Sequence, residues 1–325
     1  MRRFGALLAA GLLAGTLAAC GGPATQEMES AQAFAMDTVM VLTAGGGETG
    51  TALQTSQGEL YRLDRELSRT REDSAVSRLN SAPAGTAEDV GEGLYGLIAQ
   101  ALTFSAATDG AFDITLAPVS SAWGFTEDAY RVPGQEELDA LLTHVGADHV
   151  HLEGGTSVSL DQGTQIDLGA IAKGYAVEQV CRAAPDGLLL SVGGNVRATG
   201  PKPGGENWVV GIQAPGGESG AFLHTLYVRD VSVVTSGDYQ RYYTVGGVRY
   251  HHIIDPTTCR PAAYWRAVTV LCADSGLADA LSTALFTLPQ AEGQALLDRY
   301  GAEAMWVDAS GGEVFSPGFS AYLRT

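Results

Sequence analysis

Apolar residues recur every three or four positions in several stretches of the chain, a spacing typical of helices that bury one face. The predicted helices cover a segment through Leu53, Leu60, Leu63 and Leu67, then residues 91–107, 135–144, 275–288 and 290–300. Strands are predicted at residues 38–43 and 304–307.

From Val150 onward the pattern changes to short segments in which apolar and polar residues alternate, as in "SVSLDQGTQIDLG", "LLLSVGG", "WVVGIQAP" and "RAVTVLCA". Turns that contain glycine separate these segments, as expected for antiparallel strands. Because the helices and the hairpins fall in separate blocks, the pattern predicts an α+β fold and not a doubly wound sheet.

A glycine-rich turn follows the first predicted strand. Gly45, Gly47 and Gly50 fit the dinucleotide-binding spacing G-x-G-x-x-G. That site also requires a second parallel strand with an acidic residue about 20 positions further on. Here the corresponding region is the helix that contains Asp64 and Glu66. The context therefore favours a plain turn over a dinucleotide site.

The first residues predict an exported lipoprotein. Two arginines and the apolar run 7–17 precede Leu17-Ala18-Ala19-Cys20, which matches a signal peptide cleaved before a lipidated cysteine. An ordinary signal peptide and a membrane span are the alternatives, but the run is shorter than the roughly 20 residues that a span requires. We predict a signal at 1–19, a flexible tether from lipidated Cys20 at 20–32, and a domain at 33–325 on the extracytoplasmic face of the bacterial cell membrane.

The composition narrows the possible partners. The net charge of −18 opposes binding to nucleic acid or to anionic lipid, so membrane attachment would depend on the lipid anchor. Apart from Cys20 the cysteines are Cys181, Cys259 and Cys272, none at metal-ligand spacing. Their pairing cannot be read from the sequence, and we expect buried thiols.

The segment "IDLGAIAKGYAVEQV", residues 166–180, predicts a strand that leads into a helix. Asp167 stands at the strand end, and Lys173 lies in the first turn of the helix. The amino end of a helix offers free N–H groups and partial positive charge, which together bind phosphate. Gly174 costs about 1 kcal/mol relative to alanine in a helix. We therefore expect another backbone or a ligand close to it, although tight helix packing beside a solvated lysine would also explain the segment.

Two oxygen-bearing side chains lie four residues apart in "DSGLADALSTALF", where Leu277, Leu281 and Leu285 form the expected buried stripe. Asp279 and Thr283 share a different face of this helix. A carboxylate and a hydroxyl suit Mg²⁺, which retains several waters and takes other ligands from substrate phosphates. The alternative is an exposed face with an i, i+4 hydrogen bond.

Two further segments carry candidate residues. In "RYHHIIDPTTCRP" an alternating strand places His251 and His252 on opposite faces, and we favour His252 as the one that faces a cleft. A structural histidine is the alternative. In "TDGAFDITLAPVSSAWGF" a turn brings Asp113 and exposed backbone together, which fits either a polar ligand or a buried loop.

Taken together, these segments resemble the ApbE family, the FAD:protein FMN transferases. The resemblance covers about residues 34–309 and keeps the motifs in family order: "AMDTVM", "SRTREDSAVSRLN", "GAFDITLAPVSSAWGF", "IDLGAIAKGYAVEQV", "LLLSVGGNVRATG", "VVTSGDYQRYY", "HHIIDPTT" and "ADALSTALF". It implies an ApbE-like α+β fold, similar to the T-fold, with antiparallel sheets and packed helices.

The resemblance also implies a set of site residues. FAD contacts would fall on Met36, Thr70, Ala111, Phe112, Asp113, Asp167, Lys173, His252 and Ile253, and Mg²⁺ would bind the carbonyl of Ala170 and the side chains of Asp279 and Thr283. The chain departs from the family pattern at Thr70, where many members have an aromatic residue, and at Cys259, which replaces a usual glycine.

The implied reaction is the transfer of FMN from FAD to a threonine or serine hydroxyl of another protein, with release of AMP. His252 is the candidate base and Asp279 the competing one. By the same resemblance the acceptor is an FMN-binding domain, as in Rnf-type or sodium-pumping quinone reductase subunits or other exported flavoproteins. The alternatives are a Mg²⁺-dependent FAD pyrophosphatase and a non-enzymatic flavin-binding lipoprotein.

Overall fold

The computed structural model describes residues 28–45, 49–126, 129–217 and 220–324. Its helices are α1 (Thr49–Leu67), α2 (Ala75–Ser81), α3 (Gly91–Ala107), α4 (Ala117–Ala122), α5 (Gln135–Leu142), α6 (Ala172–Ala183), α7 (Ser275–Thr287) and α8 (Gln290–Tyr300). The strands are β1 (Met28–Ala35), β2 (Thr38–Gly45), β3 (Glu88–Asp89), β4 (Val150–Leu152), β5 (Ser157–Leu160), β6 (Leu188–Val192), β7 (Asn195–Thr199), β8 (Trp208–Gln213), β9 (Phe222–Val228), β10 (Ser232–Gly237), β11 (Tyr242–Val245), β12 (Val248–His251), β13 (Ile254–Asp255), β14 (Arg260–Pro261), β15 (Ala267–Cys272), β16 (Glu303–Val307) and β17 (Glu313–Phe315).

An eight-stranded sheet organises the molecule, in the order β1-β2-β6-β7-β10-β15-β16-β17. Each neighbouring pair in this sheet runs antiparallel. The smaller sheets β3-β5-β4, β8-β9, β11-β12 and β13-β14 are antiparallel as well. Sheet pairing therefore agrees with the α+β prediction.

Apolar side chains are buried on both faces of the large sheet. One face packs against helices that include α1, α6 and α7, where Leu60, Leu281 and Leu285 are fully buried. The opposite face packs against the β8-β9 hairpin, with Leu226 and Met305 fully buried. Burying a large aliphatic side chain contributes about 1.5–3 kcal/mol, so these two layers fix the positions of the strands.

The ordered domain begins earlier in the chain than its sequence pattern indicates. Strand β1 includes residues 28–32, which were predicted to belong to the flexible tether, and it pairs with β2 along its whole length. Only Ala33 and Ala35 of this strand are buried, whereas its large apolar residues Met28 and Phe34 are exposed, so the strand shows no clear apolar pattern. The predicted signal peptide and Cys20 lie outside the described residues.

The glycine-rich turn does not belong to a dinucleotide-binding unit. Strand β2 lies between β1 and β6 and is antiparallel to both, whereas such a unit needs parallel strands. Helix α1 begins at Thr49. Residues 46–48 of the turn lie outside the described part of the chain. The preference for a plain turn agrees with this topology.

Several element boundaries differ from the predictions. Helix α5 ends at Leu142 and α7 at Thr287, each slightly before the predicted end. Helix α2 lies in a polar stretch for which no helix was predicted, and Ser74 caps it by accepting a hydrogen bond from the Ser77 N–H. Short helices such as α2 contain too few turns to give a clear period.

The three described cysteines are free and buried, as predicted. Burial raises the pKa of Cys181 to about 12 and that of Cys259 to about 11, so both thiols remain protonated near neutral pH. Within the described residues, no helix combines the length and the apolar character needed to cross a bilayer.

Candidate active site

Gly174 allows helices α6 and α7 to meet at their amino ends. A Cβ atom at this position would lie 2.2 Å from the Ser275 carbonyl oxygen and 2.6 Å from the Asp279 Cβ. The neighbour that excludes a side chain is thus helix α7. The expected close approach of another backbone is therefore present, and it comes from the helix packing that was the alternative explanation for Gly174.

Asp279 is held inside this helix contact. Its side chain is buried, at 3% exposure, and its Oδ2 accepts a hydrogen bond of 2.8 Å from the Gly174 N–H. Burial raises the pKa of this carboxyl, while the nearby Lys173 charge opposes that increase. Because an isolated buried carboxylate is costly, this position favours a cation beside it.

The alternative explanation, an exposed face on α7, does not hold, because most of this helix is buried. Asp279 is buried and Thr283 is only partly accessible. Ser282, between them, donates a hydrogen bond to the Asp279 carbonyl and pairs with the Ser236 hydroxyl at 2.8 Å. The hydrogen-bond explanation for an exposed surface pair does not apply here.

The groups predicted to bind a metal ion around Asp279 all offer oxygen atoms. Among the described residues, no group of three or more His, Cys, Asp and Glu side chains could hold a metal ion. Mg²⁺ does not require such a group, since one or two carboxylates and several waters can complete its shell. The buried carboxylate of Asp279, the hydroxyl of Thr283 and the carbonyl of Ala170 fit a hard cation of this type.

A polar atom beside Asp279 supports the same interpretation. The Asn195 amide nitrogen is buried and has no hydrogen-bond partner of good geometry within the described residues. The amide is nevertheless close enough to Asp279 to favour its ionised form. An unpaired buried donor is uncommon, and such atoms often mark places where a ligand or water binds.

Lys173 links Asp279 to the histidine segment. Its ammonium group donates a hydrogen bond of 2.8 Å to the Gly169 carbonyl. The next residue, Gly174, donates its N–H to the Asp279 carboxylate, so Lys173 stands directly beside the residue that holds Asp279. The Lys173 charge acts to lower the pKa of both Asp279 and His252.

The amino end of α6 is less open than the sequence indicated. The N–H groups of Ile171 and Ala172 donate to the Leu168 carbonyl, and that of Gly174 donates to Asp279. The prediction of a helix end with several free donors is wrong in this respect. Positive charge near the helix end comes mainly from Lys173 and from the helix dipole.

The two neighbouring histidines have different surroundings. His251 is buried, with Nε2 2.9 Å from the Ala262 carbonyl and Nδ1 accepting a hydrogen bond from the Ile253 N–H. Both ring nitrogens are therefore used in the structure. His251 is a structural histidine, as one of the two readings of this strand required.

His252 has one ring nitrogen available. Its Nδ1 lies 3.2 Å from the Arg241 carbonyl, which can only accept, so the neutral ring carries its proton on Nδ1. Nε2 is then an unprotonated acceptor. Protein atoms surround the ring although its edge is partly accessible, and burial together with the Lys173 charge lowers the pKa of His252 to about 3.

The segment around Asp113 lies beside helix α7. Ala111 accepts a hydrogen bond of 2.9 Å from the Thr287 hydroxyl at the end of this helix. Asp113 is buried and its carboxylate accepts from the Thr115 N–H at 2.7 Å, while burial raises its pKa. The Phe112 side chain packs edge-on against Phe104 in the core, so a ligand would meet Phe112 through its backbone.

Met36 occupies a strained hairpin turn. Met36 and Asp37 both have positive φ angles, +49° and +57°, in the two-residue turn between β1 and β2. The Met36 N–H donates to the Asp64 carboxylate at 2.7 Å. Non-glycine residues in this region cost about 1 kcal/mol or more, and such strain often occurs at functional sites.

The turn between β6 and β7 packs against the hairpin that carries Met36. A Cβ atom at Gly193, in this turn, would lie 2.7 Å from the Thr38 hydroxyl oxygen. Asn195, which interacts with Asp279, begins strand β7 directly after the turn. The β6-β7 turn thus lies next to both the β1-β2 hairpin and a neighbour of Asp279.

The remaining predicted contacts lie in different surroundings. Thr70 is exposed and hydrogen-bonds locally to Ser68. Ile253 is buried within the main core. Asp167 forms an ion pair with Arg69, whose guanidinium nitrogen lies 2.9 Å from the Asp167 Oδ2. The sequence analysis did not single out Arg69 or Asn195, and no local pattern distinguishes them from solvated polar residues.

Cys259 has a backbone conformation that favours glycine. Its φ angle is +53°, and its carbonyl accepts a hydrogen bond of 2.8 Å from the Trp123 indole N–H. The side chain is fully buried. The turn after Asp255 is thus left-handed at this position although it carries a side chain.

The fold and this site define an α+β protein in which a lysine and a buried carboxylate lie together where two helices meet beside a large antiparallel sheet. The sequence profile of the ApbE family matches residues 36–306. The chain belongs to the ApbE family, which confirms the resemblance identified from its motifs.

Relatives of known activity match over most of their length. The FAD:protein FMN transferase of Treponema pallidum is 34% identical over 313 residues, covering 89% of this chain and 86% of the relative. The enzyme of the same name from Escherichia coli is 30% identical over 282 residues, covering 82% and 80%.

Solved structures confirm the fold. The ApbE protein of Thermotoga maritima has a TM-score of 0.87 at 34% identity, covering 92% of this chain and 100% of that one. The apo form of the flavinyl transferase ApbE of Pseudomonas stutzeri has a TM-score of 0.80 at 32% identity, covering 91% and 96%. The predicted α+β class and ApbE-like architecture are therefore correct.

Proposed function

We propose that this chain is a FAD:protein FMN transferase that moves the FMN moiety of FAD to a threonine or serine hydroxyl of another protein, in a Mg²⁺-dependent reaction that releases AMP. The relatives named above support transfer of FMN to protein. The observation that supports this particular site is the buried Asp279 carboxylate, which accepts a hydrogen bond of 2.8 Å from the N–H of Gly174, the residue after Lys173.

The residues of this chain divide the binding task. Lys173, fixed by its bond to Gly169, would place a positive charge against the diphosphate of FAD. Asp279, Thr283 and the Ala170 carbonyl would hold the metal ion. Bound Mg²⁺ would supply charge neutralisation at the diphosphate oxygens, which phosphoryl transfer requires more than covalent help.

In this proposal His252 would take the proton of the attacking threonine or serine hydroxyl. In the reaction the hydroxyl oxygen forms a bond to the FMN-side phosphorus, the bond from that phosphorus to the bridging oxygen breaks, and AMP leaves with that oxygen. The hydroxyl proton would pass to Nε2 of His252, since Nδ1 faces the Arg241 carbonyl. A nearby diphosphate would raise the pKa of this ring from its low value, because negative charge favours the imidazolium.

Asp279 is a weaker candidate for the same base. Its Oδ2 is committed to the Gly174 N–H, and its remaining lone pairs would face the metal ion. A carboxylate in contact with a divalent cation is a poor proton acceptor. The geometry thus favours His252 as base and Asp279 as metal ligand.

Replacing His252 by glutamine separates proton transfer from binding. We expect kcat for transfer to fall by about 10² to 10⁴, the usual contribution of general base catalysis, while the affinity for FAD changes little. Stopped or continuous measurement of AMP release at saturating FAD and acceptor gives kcat. Wild-type turnover in His252→Gln would reject the assignment.

A single incubation distinguishes the three candidate activities. The protein is mixed with FAD and Mg²⁺, with and without a purified FMN-binding domain of an Rnf-type subunit. Covalent flavin on the domain together with AMP supports transfer. Free FMN and AMP together with an unmodified domain would indicate a pyrophosphatase. Bound FAD without release of AMP would indicate a flavin-storage protein.

The same proposal includes an extracytoplasmic location. Residues 1–20 have the form of a lipoprotein signal with Cys20 at the cleavage site, and exported flavoproteins would be acceptors in that compartment. Two or more acyl chains on Cys20 would hold the domain at the membrane despite its net charge of −18. Membrane fractionation of Cys20→Ala tests the anchor, and undiminished membrane association in this variant would contradict it.

A further inference from the structure

Arg69 connects three separate segments through one partly buried guanidinium group. Only 13% of its side chain is exposed. One nitrogen donates to the Asp167 carboxylate at 2.9 Å and to the Ala117 carbonyl at 3.3 Å, and the other donates to the hydroxyls of Ser121 and Thr126. Because the guanidinium group is planar and its donors bind four acceptors, the Arg69 side chain is held in one orientation.

The backbone of Arg69 is fixed as well. Its carbonyl accepts a hydrogen bond of 2.8 Å from the Ser77 hydroxyl in helix α2, and the Ser68 carbonyl accepts from Ser74 at the start of that helix. The guanidinium group is therefore anchored at both ends, which leaves little freedom to follow its partners. Asp167 is the partner whose position it can set.

The Asp167 carboxylate receives two donors on different oxygens. Oδ2 accepts from Arg69, and Oδ1 accepts from the Gly169 N–H at 2.8 Å. A carboxylate has about four lone-pair sites, so acceptor capacity remains for a ligand. About a third of the Asp167 side chain, 32%, is exposed. It is thus a fixed acceptor with an accessible side, two residues from the Gly169 carbonyl that holds Lys173.

We propose that Arg69 is a positioning residue for FAD, which acts by fixing the Asp167 carboxylate as an acceptor for donors of the nucleotide. This inference rests on the proposed function, in which Asp167 contacts FAD. Arg69 itself does not touch the nucleotide. The same guanidinium group ties Asp167 to α4 and to Thr126, so the Asp167 loop and the loop after α4 keep a constant separation.

The proposal predicts that binding is affected more than chemistry. Asp167 would contact FAD equally in the ground state and the transition state, so Arg69→Met should raise the KM for FAD about tenfold and leave kcat within about twofold. Arg69→Lys keeps a charge beside Asp167 but loses the fork to Ser121 and Thr126, so its KM should be intermediate.

The test measures FAD dissociation constants by flavin fluorescence for the wild type, Arg69→Met, Asp167→Asn and the double variant. Since Arg69 acts through Asp167, its loss should weaken binding about tenfold in the wild type and by less than about twofold in Asp167→Asn. Arg71→Met is the matched control, because Arg71 is exposed and forms an ion pair with exposed Asp73, and the affinity of this variant for FAD should match that of the wild type.

Three outcomes would overturn the inference. Unchanged affinity in Arg69→Met with a lower melting temperature would show a purely structural role. Equal losses in both backgrounds would show that Arg69 does not act through Asp167. If Arg69→Met does not fold, wild-type affinity for FAD in Arg69→Lys would likewise show a purely structural role. Failure of the wild type to bind FAD would instead contradict the proposed function.

Discussion

At the scale of single residues, hydrogen-bond partners separate two adjacent histidines that the sequence cannot distinguish. His251 uses both ring nitrogens, on the Ala262 carbonyl and the Ile253 N–H, and it packs against Phe286. His252 uses one nitrogen, on the Arg241 carbonyl. The difference assigns a structural role to the first ring and leaves the second ring free for chemistry.

The structural role of His251 gives a pH-dependent contribution to stability. Burial lowers the pKa of His251, opposed by the Ala262 carbonyl and Asp238, with a smaller lowering effect from Arg249. Protonation thus favours the unfolded chain. The contribution is fully present above about pH 6.5, the pKa of an unfolded histidine, and is lost as the pH falls toward the folded value.

We expect His251→Gln to lower the free energy of unfolding by about 1–3 kcal/mol at pH 7.5, because at least one buried hydrogen bond is lost. Between pH 7.5 and 5 its stability should fall less steeply than that of the wild type. Urea unfolding at several pH values measures both effects. Parallel pH profiles would mean that His251 is not the group responsible.

Among the structural elements, the contact between α6 and α7 fixes the position of Asp279 next to Gly174. Gly174 lets the Ser275 carbonyl approach α6, and the same contact brings the Asp279 carboxylate onto the Gly174 N–H. The packing of the two helices and the position of the Asp279 carboxylate therefore both depend on the absence of a side chain at Gly174. Any side chain at this position changes both.

Gly174→Ala tests this coupling. The added Cβ would overlap backbone at 2.2 Å, so α6 and α7 must separate, and we expect a loss of about 1–3 kcal/mol in unfolding free energy despite the better helix propensity of alanine. Activity should fall further because Asp279 moves. Gly58→Ala in α1 is the control, since nothing lies within 4 Å of its added Cβ, and it should stabilise by about 0.5–1 kcal/mol. Similar melting temperatures for both variants would contradict the packing account.

The sequence predicted elements whose burial follows a regular period. Leu60, Leu63, Leu281 and Leu285 mark α1 and α7 and are all buried. It did not predict β1, which buries few large side chains, or the burial of Asp279 on a helix that is enclosed on most sides.

The candidate site divides in the same way. The motifs marked Asp167, Lys173 and Asp279 because their residue types suit a diphosphate and a metal ion. Arg69 and Asn195 were not predicted as site residues. Arg69 pairs with Asp167, which lies 98 residues away in the sequence, and Asn195 is distinguished by its unpaired buried nitrogen. Such relations exist only after folding.

In the whole molecule, the large sheet lies between two layers. The helical layer on one face carries Lys173 and Asp279, and the β8-β9 hairpin covers the apolar side chains of the other face. The loops that carry the predicted FAD contacts come from the β1-β2 turn, the segment after α3 and the start of α6. Binding one extended nucleotide across these segments would therefore restrain elements that are distant in sequence.

We propose that Lys173, and a divalent cation held by Asp279, bind the diphosphate of FAD for attack by a protein hydroxyl. The decisive experiment is intact-mass measurement of the FMN-binding domain after incubation with FAD, Mg²⁺ and either the wild type or Asp279→Asn. We expect one FMN adduct with the wild type, no adduct when EDTA removes Mg²⁺, and at least a hundredfold slower formation with the variant, about the effect of losing one charge-stabilising group. Equal rates of adduct formation for Asp279→Asn and the wild type would contradict it.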